Sequence, residues 1–315
     1  MVCMNKHVNL QRLEFIVTFR CASRCEHCSV CTDTADTTIR HMDLTLAKKA
    51  ITDAQNLYGI KSLMTFGGEP LLFADFTAAL HRHAAELGVM KRQLITSGYF
   101  SPDPEKIKKV VRQIKDCGVN SVLVSVDCFH EKHLDYETVE RFLQELKNVG
   151  VQNVKLCPAW VVNKQHDNPY NARTKELLAG FEYLGFPEDV GNDIAHGGRA
   201  TENLKEYLPK RRPRVFGNCT THKYRQPIDN VEVLLVRPNG DVCVCGVIGS
   251  LQKNSLPEII AGFDYSKNEV FAAVARNGSE GIYEVAAKHK IPLKEEGYFS
   301  VCDLCRDIRK KLYAG

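Results

Sequence analysis

Ser121-Val122-Leu123-Val124-Ser125-Val126-Asp127 is mostly Val and Leu, which predicts a strand buried on both faces in a parallel sheet. Val139, Phe142, Leu143, Leu146 and Val149 then keep helical spacing and supply the helix that follows it. On the other side, Asp103-Pro104 is a cap and first-turn pair. It opens a helix with Ile107, Val110, Val111, Ile114 and Cys117 on one face and Gly118 behind it. Cys117 therefore reads as core. The alternation extends both ways. Upstream lie a strand from Met90 to Thr96, a helix face of Phe73, Phe76, Leu80, Ala84 and Leu87, and a strand from Leu63 to Phe66. Before them is a helix capped by Asp43, with Ala47, Ala50, Ile51, Ala54, Leu57 and Tyr58 inward and Gly59 as its stop. Downstream, Val154 to Val162 with Leu177, Leu178, Phe181 and Leu184 make a fifth pair, and the series ends near Ile194 to Ala200. The unit recurs about every 30 residues, the size of a strand-helix-strand crossover. Right-handed crossovers curl such a series one way, which predicts an incomplete parallel α/β barrel whose site lies at the C-terminal strand ends.

At that edge, after a strand-like run from Leu13 to Phe19, stands Cys21-Ala22-Ser23-Arg24-Cys25-Glu26-His27-Cys28. Three thiols in one short loop can be aimed at one point, which suits an iron-sulfur cluster. Three ligands on a four-iron cubane leave one iron open to a small molecule, as in a catalytic metal site. Short cysteine clusters also read as zinc sites, so zinc is the alternative. Cys31 is a further thiol in the loop, read as a bystander and not as a fourth ligand. Gly67-Gly68-Glu69-Pro70 ends the next strand. Its glycines allow close backbone approach to a ligand, and Glu69 or the local carbonyls can accept hydrogen bonds from an ammonium group.

A chain of 315 residues can bury a sizeable core in one large domain plus an appendage. Thirteen cysteines is an odd count for a fully disulfide-bonded protein, and the first ten residues carry Lys6 and polar side chains in place of a signal-peptide core. The expected compartment is the reducing cytoplasm. No apolar run approaches the roughly 18 residues of a membrane span, so no membrane partner is expected. A net charge of +4 is mild, and no nucleic-acid partner is inferred from it. Composition shifts past residue 200. Lys205, Pro209, Lys210, Arg211, Arg212, Pro213 and Arg214 read as a solvated basic linker, or as a handle for an acidic peptide or nucleic acid. Val231 to Val236, the turn Pro238-Asn239-Gly240 and Asp241 to Val247 then read as a hairpin. A weakly helical region near Ala272 and Val285 leads to Cys302-Asp303-Leu304-Cys305 and a basic C-terminal helix.

The cysteine spacing together with Gly67-Gly68-Glu69-Pro70 resembles the radical S-adenosylmethionine (radical SAM) superfamily. That resemblance implies a partial (β/α)6 TIM-like barrel, a [4Fe-4S] cluster on Cys21, Cys25 and Cys28, and SAM chelated to the open iron. It also implies that Gly67, Gly68, Glu69 and Pro70 hold the methionine amino group. His27 would pack near the adenine, and Ser97, Ser125 and Asp127 would contact the SAM ribose or carboxylate. In the C-terminal third, Asn239 to Cys245 with the later Cys302 and Cys305 resembles the SPASM/twitch group, which implies an auxiliary [4Fe-4S] cluster. Its ligands would be Cys219, Cys302 and Cys305, with Cys245 as the fourth and Cys243 as the alternative. Two residues apart on a strand point the same way about 6.6 Å from each other, so both thiols could reach one cluster edge. Four cysteines are equally a zinc set.

The expected domains are a barrel over 1–200 and a basic linker with a twitch-type domain over 201–315. The expected enzyme splits SAM reductively to a 5'-deoxyadenosyl radical and takes a hydrogen atom from a ribosomally made peptide, for epimerisation, cross-linking or other tailoring. A small-molecule substrate such as an amino acid, sugar or nucleoside is the alternative, as is a non-catalytic zinc or nucleic-acid-binding protein. The electron donor would be a reductase, flavodoxin or ferredoxin. The stretch Ser125, Asp127, His130 resembles radical SAM peptide epimerases, in which a spare cysteine directly after a cluster ligand returns a hydrogen atom. Here that position is Gly246, so the donor would be Cys243.

Overall fold

The structure, a computed structural model, describes residues 5–30, 36–195, 197–214 and 226–313. Strands and helices alternate from the start: β1 (Val8–Ile16), α1 (Leu44–Tyr58), β2 (Ser62–Phe66), α2 (Ala74–Glu86), β3 (Lys91–Thr96), α3 (Pro104–Asp116) and β4 (Ser121–Val124). After them come α4 (Cys128–Glu131), α5 (Tyr136–Asn148), β5 (Val154–Leu156), β6 (Ala159–Trp160), α6 (Pro169–Phe181), β7 (Asn192–Asp193) and α7 (Ala200–Asn203). Side chains of Asp43, Asp103 and Asp135 cap α1, α3 and α5 by accepting from backbone N–H groups, and Gly59 ends α1 in the left-handed region that glycine tolerates.

β1 to β5 are parallel neighbours in order, and β6 pairs in parallel with β7. A parallel bridge between Leu156 and Glu188 joins β5 to the chain leading into β7, so a sixth strand position continues the curl. This is the partial (β/α)6 barrel expected from the alternation. The expected strand from Val154 to Val162 is broken in two. Pro158 has no N–H to give the ladder, and its carbonyl instead accepts from Asn192.

The expected double burial of the Ser121 strand holds on one face only. Val122, Val124 and Val126 pack with α3 and α5 side chains such as Ile107, Val111, Val139 and Phe142. Ser121, Leu123 and Ser125 are half-buried, because they face the barrel interior and not the helix layer. The strand also ends at Val124, three residues early, since Asp127 turns to cap α4. Toward the N-terminus β1 begins at Val8, five residues before the expected Leu13, because β8 (Val231–Val236) pairs with it in parallel.

The expected hairpin is β8 with β9 (Asp241–Cys243), followed by β10 (Val247–Ser250), with β9 antiparallel to both neighbours. Through the β8–β1 pairing it extends the barrel sheet, which therefore runs across the boundary placed at residue 200. Helices α8 (Leu256–Gly262), α9 (Glu269–Lys288) and α10 (Val301–Tyr313) complete the chain, with α9 kinked at Asn277 and Gly278. The basic stretch read as a solvated linker is docked. Arg211 and Tyr298 exchange backbone hydrogen bonds, Arg212 lies 4.4 Å over the Tyr283 ring, and the Tyr283 hydroxyl donates to Pro213 O. No helix among the described residues is long and apolar enough to cross a membrane.

One core histidine makes the fold sensitive to acid. His81 on α2 is fully buried, with Nε2 2.8 Å from Thr65 Oγ1 of β2, and burial with the nearby Arg92 charge lowers its pKa from 6.5 to about 3. The folded value lies below the unfolded one, so the unfolded chain binds a proton that the folded chain refuses. Stability is intact above pH 6.5 and falls below it by about 1.4 kcal/mol per pH unit. In urea unfolding at pH 7 and pH 5, His81→Gln should remove about 2 kcal/mol of the pH dependence seen in the native chain. An unchanged dependence would count against this assignment.

Candidate active site

The cysteine loop leaves the C-terminal end of β1 and is fastened from three sides. From β2, Gly68 N donates to Thr18 O at 2.7 Å and Glu69 N to Arg20 O at 2.8 Å. A Cβ on Gly68 would stand 2.0 Å from Arg20 O, and one on Gly67 2.7 Å from Thr18 O. The two glycines thus serve the approach of the cysteine loop itself, where the sequence suggested approach to a ligand. From the far end of the barrel, Arg199 N donates to Cys28 O at 3.1 Å, and a Cβ on Gly198 would stand 2.5 Å from the same oxygen. From α4 and α7, Lys132 Nζ reaches Glu26 Oε1 at 2.9 Å and Asn203 Nδ2 donates to Glu26 O. Arg199, Lys132 and Asn203 carry no motif, so no sequence signal pointed to them.

Glu69 is fully buried, and its carboxylate is saturated. Oε1 accepts from Thr96 Oγ1 at 2.6 Å and Leu71 N at 3.0 Å; Oε2 accepts from Ser97 Oγ at 2.6 Å and Ser97 N at 2.9 Å. Burial raises its pKa, and these hydrogen bonds oppose the rise. The side chain ties the β2 edge to the β3 edge and is not presented to an ammonium group, which leaves the loop carbonyls for that task. Ser97 is committed to the same knot. Pro70 opens a single 3-10 turn behind Glu69 and is buried.

Asp127 is also spent inside the protein, at 1% exposed. Oδ1 accepts from Phe129 N, His130 N and His130 Nδ1, the last at 2.8 Å, and Oδ2 accepts from Ala159 N at 3.3 Å. The expected contact with SAM is therefore not available from this carboxylate, because folding has used both oxygens. Burial would raise its pKa, but the His130 charge and hydrogen bond, with the His27 charge, hold it at about 2. His130 is the reverse case. Burial would lower it, yet the Asp127 carboxylate, and after it Cys25 nearby, raise it well above its ordinary value. Ser125 stays half-buried at the end of β4, with its N donating to Thr96 O.

His27 leans on Phe129, ring centroids 4.7 Å apart, and meets His130 edge-on at 5.3 Å. Its Nδ1 is buried and has no partner among the described residues. Burial lowers its pKa to about 4, so it is neutral at ordinary pH.

The C-terminal cysteines divide into two kinds. Cys245 sits in the bend between β9 and β10, while Cys302 and Cys305 lie in the first turn of α10, which starts before them and not after. Burial pushes Cys305 up to about 12, with the Cys245 and Cys302 charges adding to it, so these three thiols share one neighbourhood. Cys219, like Cys31, lies outside the described residues. Cys243 is still in β9, paired with Leu235 and Val247. The strand ends at Cys243, so strand alternation does not by itself place Cys245 on the same side. The charges acting on Cys243 are those of Arg237 and Asp241, and burial pushes its pKa up to about 11. Arg309 fixes the bend: it donates to Cys245 O at 3.1 Å and lies 4.4 Å over Phe271, and a Cβ on Gly246 would stand 3.2 Å from its Nη1. A side chain after Cys245 would have to displace that guanidinium.

Residues 15–169, from β1 into α6, match the family model of the radical SAM superfamily, and this stretch is a radical SAM domain. It is accordingly an enzyme. Solved structures of similar fold include anSMEcpe with bound AdoMet, at 15% identity over 79% of this chain and 77% of that one with a TM-score of 0.49. Another is BtrN in complex with AdoMet and 2-DOIA, at 14% identity over 84% and 85% with a TM-score of 0.45. No curated protein matches the sequence significantly.

The superfamily's [4Fe-4S] cluster and SAM fit the donor set. Cys21 is pushed up to about 11 by burial, with Glu69 and Cys25 acting in the same direction, so the protein alone does not hold this thiol as a thiolate. A metal centre supplies the positive charge that deprotonates it. The unpartnered His27 Nδ1 is a polar atom left over beside the same loop.

Proposed function

We propose that this chain abstracts a hydrogen atom from a ribosomally synthesised peptide and that Cys243 returns one, its thiyl radical then regaining an electron from the external reductase, flavodoxin or ferredoxin and a proton from solvent, with Cys21, Cys25 and Cys28 holding the SAM-binding cluster. Cys245, Cys302, Cys305 and Cys219 would hold an auxiliary cluster. When bound, the first cluster reduces the SAM sulfonium and so yields the 5'-deoxyadenosyl radical. The loop carbonyls after β2, Ser125 and His27 are the groups left to bind and orient SAM, since Glu69, Ser97 and Asp127 are bonded elsewhere.

One observation carries the donor role. In the sheet register Cys243 stands opposite Leu235, Leu235 opposite Glu14, Glu14 opposite Met64 and Met64 opposite Gln93. Paired positions share a face, so the Cys243 thiol points to the side of the sheet that lines the barrel. Its raised pKa keeps it as S–H at neutral pH, the form a hydrogen-atom donor needs.

Anaerobic turnover with the candidate peptide in deuterated water tests this. The native enzyme should place one deuterium on an α-carbon, and Cys243→Ala should still make 5'-deoxyadenosine but leave that carbon without solvent deuterium. Turnover of a small molecule, with no mass or chirality change in any peptide, would favour the small-molecule reading. A two-dalton loss would mean cross-linking or desaturation and no donor role for Cys243.

A further inference from the structure

We propose that Ser23 is a positioning residue of the N-terminal cluster: its backbone N–H and its hydroxyl both donate to sulfur at the Cys21 corner and so set the reduction potential. The inference rests on the assignment of Cys21, Cys25 and Cys28 as cluster ligands.

The loop turns this one side chain inward. Ala22 and Arg24 on either side are exposed, whereas Ser23 is 6% and Cys25 5% exposed, so residues 23 and 25 share the buried side of the loop. Ser23 N donates to Cys21 Sγ at 3.4 Å, which sets the residue against the first thiol. Its Oγ is buried and has no hydrogen-bond partner among the described residues. Both ends of the loop are held, by Gly68 N on Thr18 O and Glu69 N on Arg20 O at one and by Arg199 N on Cys28 O at the other, so the hydroxyl does not swing out to water.

A hydroxyl buried without a partner costs free energy, and a native protein that keeps one has a reason for it. Alanine would fill the same place without that cost. The partner that the folded chain lacks and a cluster brings is sulfur beside Cys21, since the Ser23 N–H is already on that side. Both groups donate at any working pH: a backbone N–H keeps its proton and a serine hydroxyl carries one, so neither bond depends on the titration of a neighbour. Hydrogen bonds to cluster sulfurs draw charge off the cluster and make reduction easier. Outer partners of this kind tune a metal site through its ligands.

The test is a redox titration of the full-length, anaerobically reconstituted protein followed by electron paramagnetic resonance, with and without SAM, and with iron content measured alongside. Ser23→Ala removes the hydroxyl and keeps the backbone N–H; Ser23→Thr keeps both. Ser23→Ala should retain its iron and need a more negative potential, the ratio of reduced to oxidised cluster at a fixed poise falling about tenfold, or 59 mV for one electron. Ser23→Thr should keep the native ratio. In iron-free protein Ser23→Ala, relieved of the orphaned hydroxyl, should unfold at the native urea concentration or above it. Native potential in Ser23→Ala would overturn the proposal, as would a shift seen only with SAM present, which would place the hydroxyl on SAM. Earlier urea unfolding of iron-free Ser23→Ala would overturn it too, because the hydroxyl would then have a partner inside the protein. So would loss of iron, which would make Ser23 a support for the loop and not a tuner of its sulfur. Absence of the N-terminal cluster signal from the native protein would instead overturn the ligand assignment itself.

Discussion

Cys25→Ala should lose the iron held by the Cys21–Cys28 loop and all release of 5'-deoxyadenosine from SAM. Cys25 is the middle thiol of the loop and 5% exposed, so no water or side chain from solvent can take its place as a ligand. Cys28 N donates to Cys25 O at 3.1 Å, which places the second and third thiols in one turn. Removing the middle one leaves two ligands, too few for a cubane that needs one iron open and three held. Cys117→Ala is the matched control. That thiol is equally buried but donates to Ile114 O at 3.2 Å at the end of α3, within the helix layer. It should keep its iron and its activity and lose only about 1 kcal/mol of stability. Iron analysis and a 5'-deoxyadenosine assay on both variants decide the matter. Full iron in Cys25→Ala would refute the ligand set.

Glu69→Ala should be the most damaging substitution outside the cysteines. It orphans four buried donors at once: Thr96 Oγ1, Ser97 Oγ, Ser97 N and Leu71 N. Each unsatisfied buried donor costs about 1–3 kcal/mol, and the losses do not add fully, so about 4 kcal/mol is expected. Glu69→Gln should cost less, because its carbonyl still accepts while its amide N–H faces donors. The damage should reach the cysteine loop, since the Glu69 backbone N holds Arg20 O. Urea unfolding of iron-free protein gives the stability, and iron retained after reconstitution gives the second reading. If Glu69→Ala were as stable as the native chain, the knot described between β2 and β3 would not exist. Intact stability with lost SAM cleavage would instead restore Glu69 to a ligand-binding role.

The sequence carried the strand-helix alternation, the caps at Asp43 and Asp103, and the grouping of Cys21, Cys25 and Cys28. These are legible because they depend on residues close in the chain: a cap needs its own first turn, and a loop ligand set needs only its spacing. It did not show that β8 joins β1, that the stretch over 205–214 docks on Tyr283 and Tyr298, or that Pro158 splits a strand into two pairings. Those depend on partners far along the chain.

The same division runs through the site. Sequence placed Gly67-Gly68-Glu69, Ser97 and Asp127 at the strand ends, where an enzyme of this class binds its ligand. Only the folded chain decided that Glu69, Ser97 and Asp127 spend their oxygens on each other's elements and on His130, and that the glycines make room for the backbone of residues 18–20. Buried polar atoms must be paired, and which donor comes near which acceptor is fixed by the curl of the barrel and not by the order of residues. That is why local chemistry named the cofactor-binding loop, while tertiary packing set Cys245 near Cys302 and Cys305 and bound His130 to Asp127.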